Sequence, residues 1–134
     1  MRKLLAALSL VLILIFVGCT PRIHILRGSY QSEREGSEYV VFLTFNQYDN
    51  SFTEYIDNRE VDKGTYDKIE NNRYIVKSDK QNFEIFLNAK NYFEITINKL
   101  NDGKPIQMKN IDVVPTYFDV DYEDIDTYKA LLDE

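Results

Sequence analysis

Cysteine, histidine, tryptophan and glycine are all scarce in this 134-residue chain. It has one cysteine, Cys19, one histidine, His24, five scattered glycines and no tryptophan. A single cysteine excludes an intramolecular disulfide, and a single histidine excludes a metal site built from several histidines. Glycines that stand singly exclude a glycine-rich phosphate-binding loop. His24 precedes the predicted domain and would not be held as a catalytic base, so we expect no catalysis, no cofactor and no metal.

The beginning of the chain has the organisation of an export signal. Two cationic residues, Arg2 and Lys3, precede an almost wholly apolar run of 14 residues, 4–17. A membrane-spanning helix needs about 20 such residues, whereas the apolar part of a secretory signal has about 7–15. The small residue Gly18 stands directly before Cys19, as a peptidase with a narrow site requires. The pattern predicts that the first 18 residues are a removable signal peptide.

This combination of charge, apolar run, small residue and cysteine resembles the lipobox of bacterial lipoproteins. In that family the cysteine thiol receives a diacylglyceryl group, and cleavage leaves the lipidated cysteine as the first residue. The resemblance implies that Cys19 is lipidated and that residues 19–27 are the anchor and a spacer. Two or more acyl chains anchor a protein stably, since each buried methylene contributes about 0.8 kcal/mol. We therefore expect an extracytoplasmic protein that is lipid-anchored to the outer face of the cell membrane. The alternative is an ordinary secreted protein or a signal anchor with an incidental cysteine.

Acidic residues outnumber basic ones, and removal of the signal increases the imbalance. The full chain has 16 basic and 22 acidic residues. Loss of Arg2 and Lys3 with the signal leaves 14 basic residues and a formal charge of −8. Phosphate backbones repel such a charge, so nucleic acids are not expected as partners. Anionic headgroups repel it as well, so we expect the lipid, rather than the surface of the domain, to hold the protein at the membrane.

Residues 28–134 are enough for one domain and have the pattern of successive β-strands. Apolar and polar residues alternate over 93–98, and turn signals recur about every 9–13 residues between 49 and 103. This spacing predicts an all-β fold, an antiparallel meander barrel of about seven or eight strands. Gly64, isolated within a strand, predicts a bulge or a sharp bend.

The last segment, 122–133, predicts a short C-terminal α-helix. Asp121 is placed to cap its first turn, and acidic residues near this start suit the helix dipole. Ile125 and Leu132 recur at helical spacing, so we expect this face to pack on the outside of the sheet.

An aromatic start, Gly28-Ser29-Tyr30, then a meander and a terminal helix resemble the lipocalin and wider calycin arrangement. The chain resembles in particular the small lipocalin-like lipoproteins of bacteria, although the lipocalin motif has tryptophan where this chain has Tyr30. Those barrels bind small apolar molecules in a cup. The resemblance implies a non-enzymatic binding module for a small apolar or amphiphilic ligand near the membrane. The candidate lining residues are Phe42, Tyr55, Tyr74, Phe83 and Phe93. Alternatively, these aromatic residues simply fill an interior too narrow for a ligand.

A run of acidic residues near the C-terminus does not match a known metal-binding template. Its members are Asp119, Asp121, Glu123, Asp124 and Asp126. An EF-hand loop needs glycine at its sixth position and glutamate at its twelfth, where this chain has Asp124 and Ala130. The run is interpreted as the solvated start of a helix.

Two further features are interpreted as structural and not as functional. Glu54, Glu84 and Glu94 lie on predicted strands beside apolar neighbours, so we expect them to face water rather than to form a glycosidase pair. The apolar link 115–118 is interpreted as a plug under the barrel mouth, with an exposed patch for a partner as the alternative.

The acidity of the domain suggests a second function of a different class. An acidic surface attracts a cationic protein, speeds the encounter and fixes the orientation of the complex. A surface inhibitor of a cationic hydrolase such as lysozyme would work in this way. Binding of an apolar ligand should be almost indifferent to salt, whereas binding driven by charge should weaken sharply.

Overall fold

The computed structural model describes residues 24–34, 36 and 38–133. The predicted signal peptide over 1–18, the lipidation site Cys19 and the first part of the predicted spacer lie outside the described residues. Among the described residues, no helix has the length and apolar character needed to cross a membrane.

Eight antiparallel strands form one sheet. They are β1 (Gly28–Ser32), β2 (Val41–Asn46), β3 (Ser51–Ile56), β4 (Arg59–Glu70), β5 (Arg73–Lys77), β6 (Asn82–Phe86), β7 (Tyr92–Ile95) and β8 (Ile106–Asp112). Their order is β6-β5-β4-β3-β2-β1-β8-β7, so that β1 pairs with both β2 and β8. The sheet curls into a barrel that is nearly closed between β6 and β7. A short helix, α1 (Ile125–Lys129), and a 3-10 turn (Ala130–Leu132) follow. The prediction of an all-β meander barrel with a C-terminal helix is confirmed.

Side chains fill the inside of the barrel. Alternate residues of each strand point inward, as Val41, Leu43 and Phe45 do on β2. At the centre the ring of Tyr30 lies 5.7 Å from that of Phe45 and 4.9 Å from that of Phe93, between ring centroids. These interlocked rings form a core of the kind that narrow barrels require.

The close approach of β4 and β5 explains the glycine in the middle of β4. A Cβ atom on Gly64 would lie 2.1 Å from the carbonyl oxygen of Lys77, so the close approach of β4 and β5 requires glycine. The register shifts of β4 lie nearby, at Val61 against β3 and at Ile69 against β5. The predicted irregularity is therefore real, although the bulges flank Gly64 instead of falling on it.

The antiparallel order gives the barrel two ends. The entry end, where the described chain begins, contains residues 24–27, the connections 47–50, 71–72 and 87–91, and the residues that follow β8. The helix end contains the connections 33–40, 57–58, 78–81 and 96–105, together with α1.

At the helix end, α1 lies across the opening of the barrel. The Tyr128 hydroxyl donates to the Asp57 carboxylate at 3.3 Å, and the Lys99 ammonium donates to the Ala130 carbonyl at 3.1 Å. Leu131 and Leu132 pack against the core. The expectation that the helix packs on the outside of the sheet was wrong, because Tyr128, Leu131 and Leu132 pack against the core of the barrel.

The α-helix also begins later than predicted. Its N-cap residue is Asp124 instead of Asp121, and the side chain of Asp124 makes no capping hydrogen bond. That carboxylate instead accepts two hydrogen bonds of 3.0 Å from the Arg59 guanidinium.

At the entry end, residues 24–27 pack onto the barrel although we predicted a spacer here. Leu26 is fully buried, its N–H donates to the Tyr74 hydroxyl at 3.2 Å, and its carbonyl accepts from the Tyr66 hydroxyl at 3.4 Å. The ring nitrogen Nε2 of His24 lies 2.9 Å from the Ala89 carbonyl oxygen. Two tyrosine hydroxyl groups of the core thus hold this segment by hydrogen bonds to its backbone.

Candidate functional site

The structure does not bring the five predicted ligand-binding residues together. Tyr74 and Phe93 are buried in the core, whereas Phe83 is half-buried at the rim of the helix end. Phe42 and Tyr55 lie on the outer face of β2 and β3, with their ring centroids 6.0 Å apart. No shared cup is formed among these side chains.

The chain after β8 covers that outer face. We call residues 113–124 the strap. The Thr116 N–H lies 3.0 Å from both the Ser29 and the Thr44 hydroxyl oxygens, and the Phe118 N–H donates to the Tyr55 hydroxyl at 3.3 Å. The Phe118 ring packs against Phe42. The link 115–118 is thus part of a cover on the outside of the barrel instead of a plug under its mouth, and Tyr117 in it is exposed.

Three of the five predicted residues line concavities of the described surface, each a different one. One of about 390 Å³ includes Phe42, one of about 320 Å³ includes Phe83, and one of about 380 Å³ includes Phe93. A further concavity of about 680 Å³, along β3, β4 and the end of β5, contains none of the five. The surface shapes therefore point to no single small-molecule site.

A carboxylate that we expected at the surface lies inside the barrel instead. Glu54 is fully buried opposite Leu43 and Asp62, and its Oε1 finds no hydrogen-bond partner among the described residues. The Gln81 amide donates to Glu54 Oε2 and to Asp62 Oδ2, both at 2.7 Å. Loss of hydration raises the pKa of Glu54 to about 7, the charge of Asp62 adds to the increase, and the Gln81 hydrogen bond opposes it.

The expectation that Glu54 faces water was wrong because of the face of β3 on which it lies. Phe52 and Ile56 stand two residues to either side, so Glu54 shares their inward face. The other two glutamates are exposed. Glu84 pairs with Arg73 at 2.6 Å across β5 and β6, and this contact lowers the pKa of Glu84. Glu54 and Glu84 therefore do not face each other as a catalytic pair.

The most distinctive surface is the acidic helix end. Its described connections, with 119–133, hold thirteen acidic and six basic residues, a formal charge of −7; the ranges counted are 33–34, 36, 38–40, 57–62, 78–81, 96–105 and 119–133. The corresponding parts of the entry end are neutral, with four acidic and four basic residues in 24–27, 46–50, 67–73, 86–91 and 111–114. The negative charge of the domain is thus concentrated at one end.

Arg59 fixes the acidic segment in place. Its guanidinium carbon lies 4.0 Å from the centre of the Tyr122 ring and 4.5 Å from that of Tyr128, and the group binds both oxygens of Asp124. The ion pair lowers the pKa of Asp124. A stacked, two-point contact of this kind orders the backbone that carries the neighbouring carboxylates.

The acidic run is not arranged around a metal position. Among the described residues, no group of three or more histidine, cysteine, aspartate or glutamate side chains could hold a metal ion. The helix end is chemically an exposed array of carboxylates, suited to long-range attraction of positive charge.

No protein family matches this chain, and no curated protein or solved structure resembles it at a significant level.

Proposed function

We propose that this protein is a non-enzymatic binding module, lipid-anchored on the outer face of the cell membrane, that captures a cationic protein at its acidic helix end. The observation that carries the proposal is that the described chain begins at one end of the barrel and the negative charge lies at the other. The described chain begins at the entry end, whereas the formal charge of −7 lies at the opposite end.

The length of the intervening chain supports this orientation. Only four residues, 20–23, would lie between a lipidated Cys19 and His24, and the five steps from one to the other, at about 3.5 Å each, span no more than roughly 20 Å. The entry end would thus be held close to the bilayer. The carboxylates at the helix end would face outward, where anionic headgroups do not compete with a partner.

The filled interior supports a role for the surface over one for an internal cup. Tyr30, Phe45 and Phe93 occupy the centre of the barrel, where a small apolar ligand would have to lie. The ligand that the lipocalin resemblance implies stays a prediction, and the surface proposal needs no such space.

The chemistry of the helix end defines the class of partner. Carboxylates on short connections and on one ordered segment match a protein with a basic face, such as a secreted cell-wall hydrolase. Opposite charges accelerate association and select the orientation, and the complex should depend strongly on salt. Lysozyme is the probe that we would use for this class.

The test measures lysozyme binding by a soluble form that begins at Thr20. The pair Glu123→Gln with Asp126→Asn removes two charges from the helix end, and the pair Asp67→Asn with Glu70→Gln removes two from the entry end. We expect the first pair to weaken binding about tenfold and the second to change it less than about twofold. Raising the salt from 50 to 500 mM should weaken binding by at least about tenfold. Equal effects of the two pairs, or binding indifferent to salt, would refute the proposal.

A further inference from the structure

The entry end is the part of the described surface where large apolar side chains are exposed. Nine large apolar residues are 45–90% exposed in the described chain. Seven of them lie at this end or directly beside it: Ile25, Tyr48, Ile69, Phe86, Ile111, Val113 and Val114. The remaining two, Tyr117 and Val120, lie farther along the strap, beyond Val113 and Val114 at its start. Of the nine, Val120 alone falls within the ranges counted above as the helix end.

The positions of these residues place them around one rim. Ile25 is beside the buried Leu26, and Tyr48 is at the tip of the β2–β3 turn. Phe86 is paired in register with Arg73, at the end of β6. Val113 follows β8 and lies against Gly28, where a Cβ atom would be 2.7 Å from the Val113 Cα. Four separate chain segments thus bring apolar groups to the same end of the barrel.

The charge of the entry end does not oppose contact with a membrane. The charge of the whole domain predicts repulsion from anionic headgroups, but the entry end itself has four basic and four acidic residues. The negative charge lies at the helix end, a barrel length away and beyond the screening distance of about 8 Å at physiological salt. Arg27, Lys68 and Lys90 are exposed at the entry end, where long cationic side chains can reach phosphate groups.

The chain outside the described residues identifies what covers this surface. Residues 1–23, which contain the apolar run 4–17 and Cys19, join the described chain at His24, in the middle of the apolar rim. A membrane anchor upstream of His24 would therefore hold this end of the barrel closest to the bilayer. The same surface is neutral and carries exposed aromatic and aliphatic side chains, the composition that suits the interface between headgroups and acyl chains.

We propose that the entry end is a membrane-docking surface, whose apolar rim inserts into the headgroup region of the bilayer that holds the anchor. The barrel then stands upright on the membrane, with its acidic helix end held outward, instead of swinging on a flexible tether. This inference rests on the lipid anchor of the proposed function, and it adds that the folded domain itself contacts lipid.

The absence of tryptophan from the chain allows a direct test. The full-length protein, processed and lipidated in bacterial cells, would be reconstituted into vesicles of one part phosphatidylglycerol to three parts phosphatidylethanolamine. A single reporter would be introduced by Tyr48→Trp or Phe86→Trp at the entry end, with Lys104→Trp at the helix end as the matched control. All three positions are exposed, so the fold should tolerate each change. The readout is tryptophan emission, and its quenching by brominated acyl chains.

We expect emission from the two entry-end reporters to shift to the blue by about 10 nm and to lose at least about half its intensity to brominated lipid, as tryptophan at an interface does. The Lys104→Trp reporter should remain unshifted and unquenched. A lipidated, vesicle-bound protein whose three reporters all remain in water would overturn the docking surface and leave the anchor intact. A chain recovered without acyl groups on Cys19 would overturn the anchor and the docking surface together.

Discussion

The two ends of the barrel are closed by different means. At the entry end, the peptide groups of Leu26 bind two tyrosine hydroxyls inside the core. At the helix end, Tyr128, Leu131 and Leu132 pack against the core, but the polar contacts of α1, among them the Arg59–Asp124 ion pair and the Tyr128–Asp57 hydrogen bond, lie at the surface. A closure tied to the core opens only when the core opens, whereas surface contacts can break locally. We therefore expect the entry end to be the rigid end and the helix end to open at a lower free energy.

The difference also separates two functions in space. Apolar side chains are exposed at the rigid, neutral end, and carboxylates are exposed at the end with the more easily opened closure. A docking surface benefits from rigidity because no ordering of side chains and loops opposes its insertion. A protein-binding end can adjust to its partner if its closure is held by surface contacts.

The largest expected effect comes from two glycines with the same backbone conformation, one at each end. Gly28 has a φ of +77° and Gly36 a φ of +76°. A Cβ atom on Gly28 would lie 2.2 Å from the Asp112 carbonyl oxygen, whereas one on Gly36 would meet nothing within 4 Å. Gly28→Ala should lower the free energy of unfolding by about 3 kcal/mol or more, from backbone strain together with the clash.

Gly36→Ala is the matched control, with an expected loss of about 1 kcal/mol from backbone strain alone. Urea unfolding of both variants would measure the difference. Equal losses would mean that β1 and β8 separate easily at the entry end, and the contrast in rigidity would then be wrong.

The next prediction concerns pH and the buried carboxylate Glu54. Its pKa is about 7 in the folded protein and 4.5 in the reference state. Between these values the folded chain keeps a proton that the unfolded chain has lost. The contribution of Glu54 to the free energy of unfolding should therefore be greatest below about pH 4.5 and fall as the pH rises through 7, by on the order of 3 kcal/mol. Glu54→Gln should remove most of this fall and be more stable than the parent protein at pH 8.

Glu84→Gln is the control for that experiment, because Glu84 is paired with Arg73 at the surface. Its pKa is lowered, so its titration lies below the pH range of interest. Thermal unfolding of the two variants from pH 5 to pH 8 would measure both slopes. A parent protein and a Glu54→Gln variant with the same slope would show that Glu54 does not titrate with a raised pKa.

The strands and turns could be predicted from sequence because their signals are local. The turn at Asp57 and Asn58, for example, has positive φ values of 48° and 68°, which these residue types tolerate better than most. Alternation of apolar residues then gave the strands. The number of strands and their antiparallel order follow from the spacing between such turns.

The site could not be predicted in the same way because it depends on contacts between distant residues. Phe118 of the strap covers Tyr55 from more than sixty positions away, so both faces of β3 are buried and strand periodicity alone does not show which side of Glu54 is the interior. The burial of Leu26 likewise could not be predicted, because its segment has no periodic pattern. Leu26 is held by hydrogen bonds from its backbone to tyrosine hydroxyls on β4 and β5. The division of charge and apolar surface between the two ends emerges only once the order of the connections is known.

The smallest expected effect is a local one at the helix end. Arg59→Ala removes the contacts of the guanidinium with Asp124, Tyr122 and Tyr128. The amide hydrogens of 125–132 should then exchange roughly three- to tenfold faster, because α1 detaches more often. The Leu26 amide at the entry end should keep its rate, since it opens only with the core. Arg73→Ala, which breaks the surface pair with Glu84, serves as the control and should leave α1 unchanged. Faster exchange at both ends in Arg59→Ala would show that the two closures open together, and hydrogen exchange followed by NMR distinguishes these outcomes residue by residue.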